Sequence, residues 1–264
     1  MIDSHCHLDF DAFDIDRHTV LAQCQALGIK RIVIPGTQAS TWHALIALCD
    51  IYPQLHFALG IHPYFLDNFV NAHLLALDEL LLAHKSRVVA VGEIGLDYSL
   101  HTSEKIQMHI CVEQLQLAQQ HQLPVIVHHR RSHNALIRTL KQQKFEQGGI
   151  IHAFSGSLYE AQSYIELGFK LGVGGTITYP RAQKTRKAIS QVPLTSLVLE
   201  TDAPDMPINN KQGERNNPHY LPLILRELQA LRAEPADEVQ YACLHNTLDI
   251  LANLSSNTVQ SIND

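Results

Sequence analysis

Val88-Val89-Ala90-Val91-Gly92-Glu93-Ile94-Gly95-Leu96-Asp97 is the stretch on which the fold turns. Its first part, Val88–Ile94, is apolar, rich in β-branched residues and too short for a helix, so it reads as a strand. The strand runs into Gly92-Glu93-Ile94-Gly95. A carboxylate flanked by glycines behind an apolar strand is badly placed for a core, which leaves a solvated loop acid or a functional acid at a strand end.

The same unit recurs on either side. Short apolar runs at Ile2–His7, Arg31–Pro35, His56–Ile61, Val125–His128, Gly149–Phe154, Lys170–Val173 and Leu197–Thr201 alternate with longer helical patterns. The helical segments are Asp16–Leu27, stopped by Gly28; Thr41–Tyr52, capped by Ser40 and stopped by Pro53; Ser103–His121; Ser132–Gln143; Ser157–Leu167, stopped by Gly168; Pro218–Arg232; and Pro235–Asn253. Strand and helix alternating about eight times predicts a parallel sheet with crossover helices, closed into a (β/α)8 TIM barrel. The rival, an open doubly wound sheet, is weakened because no Gly-rich nucleotide loop follows the first strand. The length of 264 residues suits one such barrel, and no linker or repeat divides it, so residues 1–264 are expected to form a single domain. Ser255–Asp264 reads as a loose polar tail.

Functional residues of such barrels come from the C-terminal ends of the strands. The first strand ends Asp3-Ser4-His5-Cys6-His7, and residues two apart on a strand share a side, so His5 and His7 can grip one ion while Cys6 points away. The fourth ends at Glu93, the fifth at His128-His129-Arg130-Arg131, the sixth at His152 and the eighth at Glu200-Thr201-Asp202. Each alone reads as well as a hydrogen-bonded structural residue. Together His5, His7, Glu93, His128, His152 and Asp202 put four imidazoles and two carboxylates at one end of one barrel, which is the ligand set of a two-metal centre.

At these residues the chain resembles the TatD family of metal-dependent hydrolases and DNases. The matching stretches are Asp3-Ser4-His5-Cys6-His7-Leu8-Asp9, Gly60-Ile61-His62-Pro63, Gly92-Glu93-Ile94-Gly95-Leu96-Asp97, Ile151-His152-Ala153-Phe154-Ser155-Gly156, Glu200-Thr201-Asp202-Ala203-Pro204 and Arg215-Asn216-Asn217-Pro218. The texture of Gly172–Arg181 and of Asp202–Pro207 is nearest the YjjV branch. The resemblance implies a TIM barrel of the metallo-dependent hydrolase superfamily with two divalent ions: one held by His5, His7, Glu93 and Asp202, the other by Glu93, His128 and His152, with Glu93 shared. Two positions depart from the pattern. A base, Arg131, stands where the family often has an acid, at the expected mouth of the site, and Leu251 replaces a phenylalanine near the C-terminus.

Such a metal pair lowers the pKa of a shared water and clamps attacking and leaving oxygens. The leading expectation is therefore phosphodiester hydrolysis, of DNA or a nucleotide-like ester, with Asp202 as general base and Glu93 holding the ions. Histidine-rich ligation favours zinc or manganese over magnesium, which the resemblance does not exclude. Phosphate needs cations, and Arg130 and Arg131 follow strand five, Arg181, Lys184, Arg186 and Lys187 strand seven, and Lys211 and Arg215 strand eight. The strand-seven group reads equally as a solvated helix face. His62, Arg130 and Asn217 are candidate substrate contacts, Asp9 and Asp97 further candidates for contact or ligand orientation, and Glu200 a support for His5 or His7.

The alternatives are a metal-dependent amidohydrolase or lactonase acting on a small molecule, and a non-catalytic metal-binding protein. The net charge of −6 gives no bulk attraction to nucleic acid and suits a small substrate at least as well. The odd count of 5 cysteines with no C-x-x-C argues against a disulfide framework or a thiolate zinc knuckle. With no signal-like start, no bilayer-length apolar run and no evident protein partner, a soluble cytoplasmic protein is expected.

Overall fold

The computed structural model describes residues 1–256. Of the expected Ser255–Asp264 tail, Ser255 and Ser256 close a short final helix, and the rest lies outside the described residues. Strands β1 (Ile2–Asp3), β2 (Arg31–Pro35), β3 (Leu55–Ala58), β4 (Val91–Asp97), β5 (Val125–Arg130), β6 (Gly149–Ile151), β7 (Phe169–Val173) and β8 (Leu197–Leu199) pair in parallel in chain order. Two seams close the ring. At the first, Val89 N donates to Phe57 O (3.0 Å) and Gly92 N to Leu59 O (2.9 Å); at the second, Ser4 N donates to Leu199 O (2.9 Å) and Asp202 N to His5 O (2.9 Å). The result is the (β/α)8 barrel that the alternating pattern predicts.

Around it stand α1 (Arg17–Ala26), α2 (Trp42–Ile51), α3 (Ala72–Ala83), α4 (Glu104–His121), α5 (His133–Gln142), α6 (Leu158–Ile165), α7 (Gln183–Gln191), α8 (Leu221–Leu231), α9 (Ala236–Ile250) and α10 (Asn253–Ser256). Helix α6 begins with a reciprocal capping box, Ser157 Oγ accepting from Glu160 N and the Glu160 carboxylate from Ser157 N. Helix α3 is not singled out by periodicity, because Ala72-His73-Leu74-Leu75-Ala76-Leu77 continues into Leu80-Leu81-Leu82 and is apolar on nearly every side.

Two apolar clusters divide the interior. The inner one fills the barrel with Ile2, Val33, Ala58, Val89, Ala90, Ile126, Ile150 and Val198 and is floored by Leu251 and Leu254. Leu251 is thus a buried plug at the N-terminal mouth, opposite the strand ends that carry the polar residues. The outer cluster lies between strands and helices and contains Cys6, so His5 and His7 face inward as their spacing requires.

The observed β1 is shorter than Ile2–His7. Past Asp3 the chain leaves the ladder yet keeps its backbone satisfied, with Cys6 N donating to Val33 O (3.0 Å) and His7 N to Ala203 O (2.7 Å). Two buried glutamines of α4 hold the neighbouring rim. Gln114 exchanges hydrogen bonds with both backbone groups of Ile61 (2.7 and 3.1 Å), and Gln107 does the same for Asp97 (2.8 and 2.9 Å). No helix among the described residues is long and apolar enough to cross a membrane.

Candidate metal centre

The strand ends converge on Glu93, whose side chain is almost wholly buried. Its Oε2 lies 3.4 Å from His5 Nε2 and 3.5 Å from His7 Nε2, while its Oε1 lies 3.2 Å from His128 Nδ1 and 3.4 Å from His62 Nε2. Asp202 repeats the pattern from the far side: Oδ1 is 3.5 Å from His5 Nε2 and 3.7 Å from His7 Nε2, and Oδ2 is 3.5 Å from His152 Nε2. The His5 and His7 Nε2 atoms are 3.2 Å apart.

These separations test whether a metal fits. Ligands held at the usual 2.0–2.2 Å around a tetrahedral ion sit about 3.3–3.6 Å from one another. The His5, His7, Glu93 and Asp202 atoms span 3.2–3.7 Å. Most are too long for good hydrogen bonds and match the edges of a coordination polyhedron. The donor set is equally apt, because facing imidazole nitrogens flanked by buried carboxylates have no packing purpose. A second group, His62, Glu93 and His128, brings its ligand atoms within 4.8 Å of one another.

The structure therefore brings together all six predicted ligands, with one rearrangement. His152 faces Asp202 rather than Glu93, and its ring stacks on His5 with centroids 3.4 Å apart. His62, expected as a substrate contact or a residue orienting the ligands, stands beside His128 at ligand distance from Glu93.

Electrostatics hold both carboxylates ionised. Burial works against a charged Glu93, but His62, His5 and His128 overcome it and keep the carboxyl well below its usual range. Asp202 is also lowered: burial opposes, and His152, His5 and His7 prevail. His5 is pushed down by burial and by its stacked neighbour His152, so it stays neutral. Burial likewise disfavours charge on His152, His7 and His128, yet their carboxylate neighbours raise all three.

Outer contacts fix the rings. Glu200, fully buried, places Oε1 3.0 Å from His152 Nδ1 and accepts Ala153 N (2.5 Å), so it supports His152 rather than His5 or His7. A Cβ at Gly172 would stand 2.2 Å from Glu200 Oε2, so only glycine leaves room for that carboxylate. Asp97 Oδ2 approaches His128 Nε2 (3.4 Å), its Oδ1 being pinned by Ser99 Oγ (2.6 Å). Asp9 lies outside this group, on a neighbouring cavity with Phe10 and Phe65.

The centre opens into a cavity of about 420 Å³ lined by His7, His62, Glu93, His128, His152 and Asp202 and, further out, by Phe10, Thr37, Tyr64, Phe65, Asp97, Arg130, Asp205 and Met206. Arg130 is the cation of this lining. Four of the other expected rim cations are engaged with acids: Lys184 with Glu160 (3.2 Å), Arg186 with Glu227 (2.6 Å), Lys211 with Glu214 (2.9 Å), and Arg215 with Asp16 (2.6 Å). Of the strand-seven basic group, Lys184, Arg186 and Lys187 lie on α7, while Arg181 precedes it and stands over the Tyr179 ring. Asn217 lies outside the cavity lining and caps the turn Pro218–Tyr220, accepting from His219 N (3.4 Å). Its neighbour Asn216 ties the loop after β8 together through Thr201 O (2.8 Å) and Asp205 O (2.7 Å). Phe10, Tyr64 and Phe65 escape a reading of strand ends because they sit one loop further out.

A parallel barrel carrying a buried imidazole–carboxylate centre at its C-terminal mouth has the architecture of a metal-dependent hydrolase. Residues 2–252 match the family model described as TatD related DNase, and the chain belongs to that family. It is 45% identical to YjjV of Escherichia coli, described as an uncharacterized metal-dependent hydrolase, over 93% of this chain and 95% of that one. The crystal structure of Escherichia coli YjjV, a TatD homologue, superposes with a TM-score of 0.93 at 44% identity, covering 96% of this chain and 98% of the other. A Danio rerio relative, tatdn3, whose name marks it as a candidate deoxyribonuclease, is 29% identical over 96% of this chain and 97% of its own.

Proposed function

We propose that the protein is a two-metal hydrolase of ester bonds acting on phosphodiesters, DNA or a nucleotide-like ester among them. The observation that carries this reading is Glu93, whose two oxygens each gather a separate pair of imidazoles. A carboxylate so placed is suited to join two sites, with His5, His7 and Asp202 on one side and His128, with His152 or His62, on the other. Zinc or manganese suits so many imidazoles better than magnesium does. Bound divalent ions would supply a water of lowered pKa and offset charge on an anionic transition state.

The chain's own groups have definite tasks. Asp202, kept ionised and slightly open to the cavity, orients the attacking water and takes its proton. Glu93 stays ionised and buried, holding the imidazole sets in register. Arg130 offers a planar guanidinium to a phosphate oxygen across the cavity.

One observation favours the second reading, a small-molecule amidohydrolase or lactonase: Arg130 is accompanied at the mouth by the acids Asp97 and Asp205, a poor track for a long polyanion. The test is a hydrolysis screen of the metal-reconstituted protein against single-stranded DNA, a generic phosphodiester and a small amide or lactone, each beside Asp202→Ala. Turnover of phosphodiesters, abolished in the metal-replete variant, is expected. Near-normal activity in that variant overturns the role of Asp202, and turnover of only the amide or lactone overturns the phosphodiester.

A further inference from the structure

The outer half of the cavity has a composition that the metal centre does not explain. Phe10 packs its ring parallel to His7 (centroids 4.7 Å apart, 16° between planes), and Phe65 meets His62 edge-on at 6.2 Å. Tyr64 continues the row, its ring 5.0 Å from that of Phe65. Three aromatic rings thus lead from the innermost imidazoles to the surface along one wall, with Arg130 also on the lining.

Tyr64 is the informative member. It keeps 63% of its surface exposed, although an aromatic side chain gains from burial. Its backbone is nonetheless held, because Tyr64 N donates to His62 Nδ1 (3.1 Å), Phe65 N donates to His62 O (3.0 Å), and Pro63 sets the turn. The residue that presents Tyr64 to solvent is therefore the same one that faces Glu93. A solvent-facing ring whose backbone is tied to the metal centre is suited to be a stacking platform for a flat ligand.

Resting on the phosphodiesterase reading above, we infer that the wall of Phe10, Phe65 and Tyr64 is a subsite for a planar ring, a nucleobase flanking the scissile phosphate, with Arg130 taking the phosphate side. The volume of about 420 Å³ supports this, since it lies within the range for one drug-sized ligand and accommodates one nucleotide unit rather than a duplex. The chemistry agrees as well: stacking tolerates any base and needs no hydrogen-bonding partners from the wall.

Kinetics of the metal-loaded protein on thymidylyl-thymidine and on its two analogues that each lack one base provide the test, in wild type, Tyr64→Ala and Tyr64→Phe. Tyr64→Ala is expected to lower kcat/KM roughly tenfold on the dinucleotide and on one analogue, and less than twofold on the other, with Tyr64→Phe near wild type. Equal losses on all three compounds, or none, overturn the subsite. Calorimetric titration with thymidine 5′-monophosphate and deoxyribose 5-phosphate decides independently of turnover. The nucleotide should bind about tenfold tighter in wild type and lose that margin in Tyr64→Ala, whereas equal affinities in wild type overturn the inference. Absence of hydrolysis together with a base-dependent affinity refutes the phosphodiesterase reading and leaves the ring subsite standing.

Discussion

Replacing Glu200 by glutamine should weaken the metal centre although Glu200 touches neither Glu93 nor the cavity. Its carboxylate is fully buried, lies 3.0 Å from His152 Nδ1 and accepts Ala153 N. A carboxylate oxygen at this distance favours the tautomer in which Nδ1 carries the proton and Nε2 presents its lone pair toward Asp202 Oδ2, 3.5 Å away. A glutamine keeps the shape but replaces one acceptor oxygen with an amide NH2 that cannot accept. Loss of a carboxylate that orients a metal-bound histidine costs about 10- to 100-fold in affinity or activity. Glu200→Gln is therefore expected to bind zinc or manganese at least tenfold more weakly, measured by competition with a chelating dye. Circular dichroism should remain that of a folded barrel, since Gly172 leaves the same room for an isosteric amide. A folded Glu200→Gln protein whose affinity and turnover both stay within twofold of wild type would refute the argument that this carboxylate sets up His152.

Two further predictions concern the scaffold. Burial, helped by Arg31, depresses the His56 pKa from 6.5 to about 4. Above 6.5 the residue is neutral in both states; between 6.5 and 4 the unfolded chain takes a proton that the folded one refuses, so stability falls as the pH falls through that window, by about 3 kcal/mol in total. Urea unfolding from pH 7.5 to 4 should show this slope, and His56→Leu should flatten it; an unchanged slope in the variant would assign the acid sensitivity elsewhere. A Cβ at Gly95, whose φ is +139°, would lie 2.1 Å from His128 O. Gly95→Ala should therefore destabilise by about 2 kcal/mol or more and displace His128, weakening metal binding; a denaturation midpoint equal to wild type would rule out the clash.

Much of this was legible because strand ends in a barrel obey a simple rule. Val88–Asp97 announces a strand and then an acid, and His5-Cys6-His7 alternates inward, outward, inward whether or not the ladder continues past Asp3. What escaped reading depends on tertiary partners. Gln107 and Gln114 look like ordinary helix residues, two turns apart on α4, until the backbones of Asp97 and Ile61 are seen beside them. Helix α3 lacks a polar face to reveal its period. His62 looks like a loop residue near the substrate, and only the hydrogen bonds of Gln114 to Ile61 show how it is held at Glu93. Cations mislead for a related reason: sequence shows Lys184, Arg186, Lys211 and Arg215 but not the acids that occupy them.

The charge pattern of the centre follows one logic. The buried carboxylates Glu93 and Asp202 sit among imidazoles, and a carboxylate taken from water survives ionised only if positive charge is supplied beside it. The raised His7, His128 and His152 show that protons on imidazoles can supply that charge, while His5, pressed against His152, stays neutral. A divalent ion supplies the same charge more compactly and requires the imidazoles as neutral ligands, so metal and protons compete for one electrostatic role. The buried acids therefore do more than provide ligand atoms. By making the pocket negative in the absence of cations, they create the demand for positive charge that a metal-dependent hydrolase satisfies with its ions.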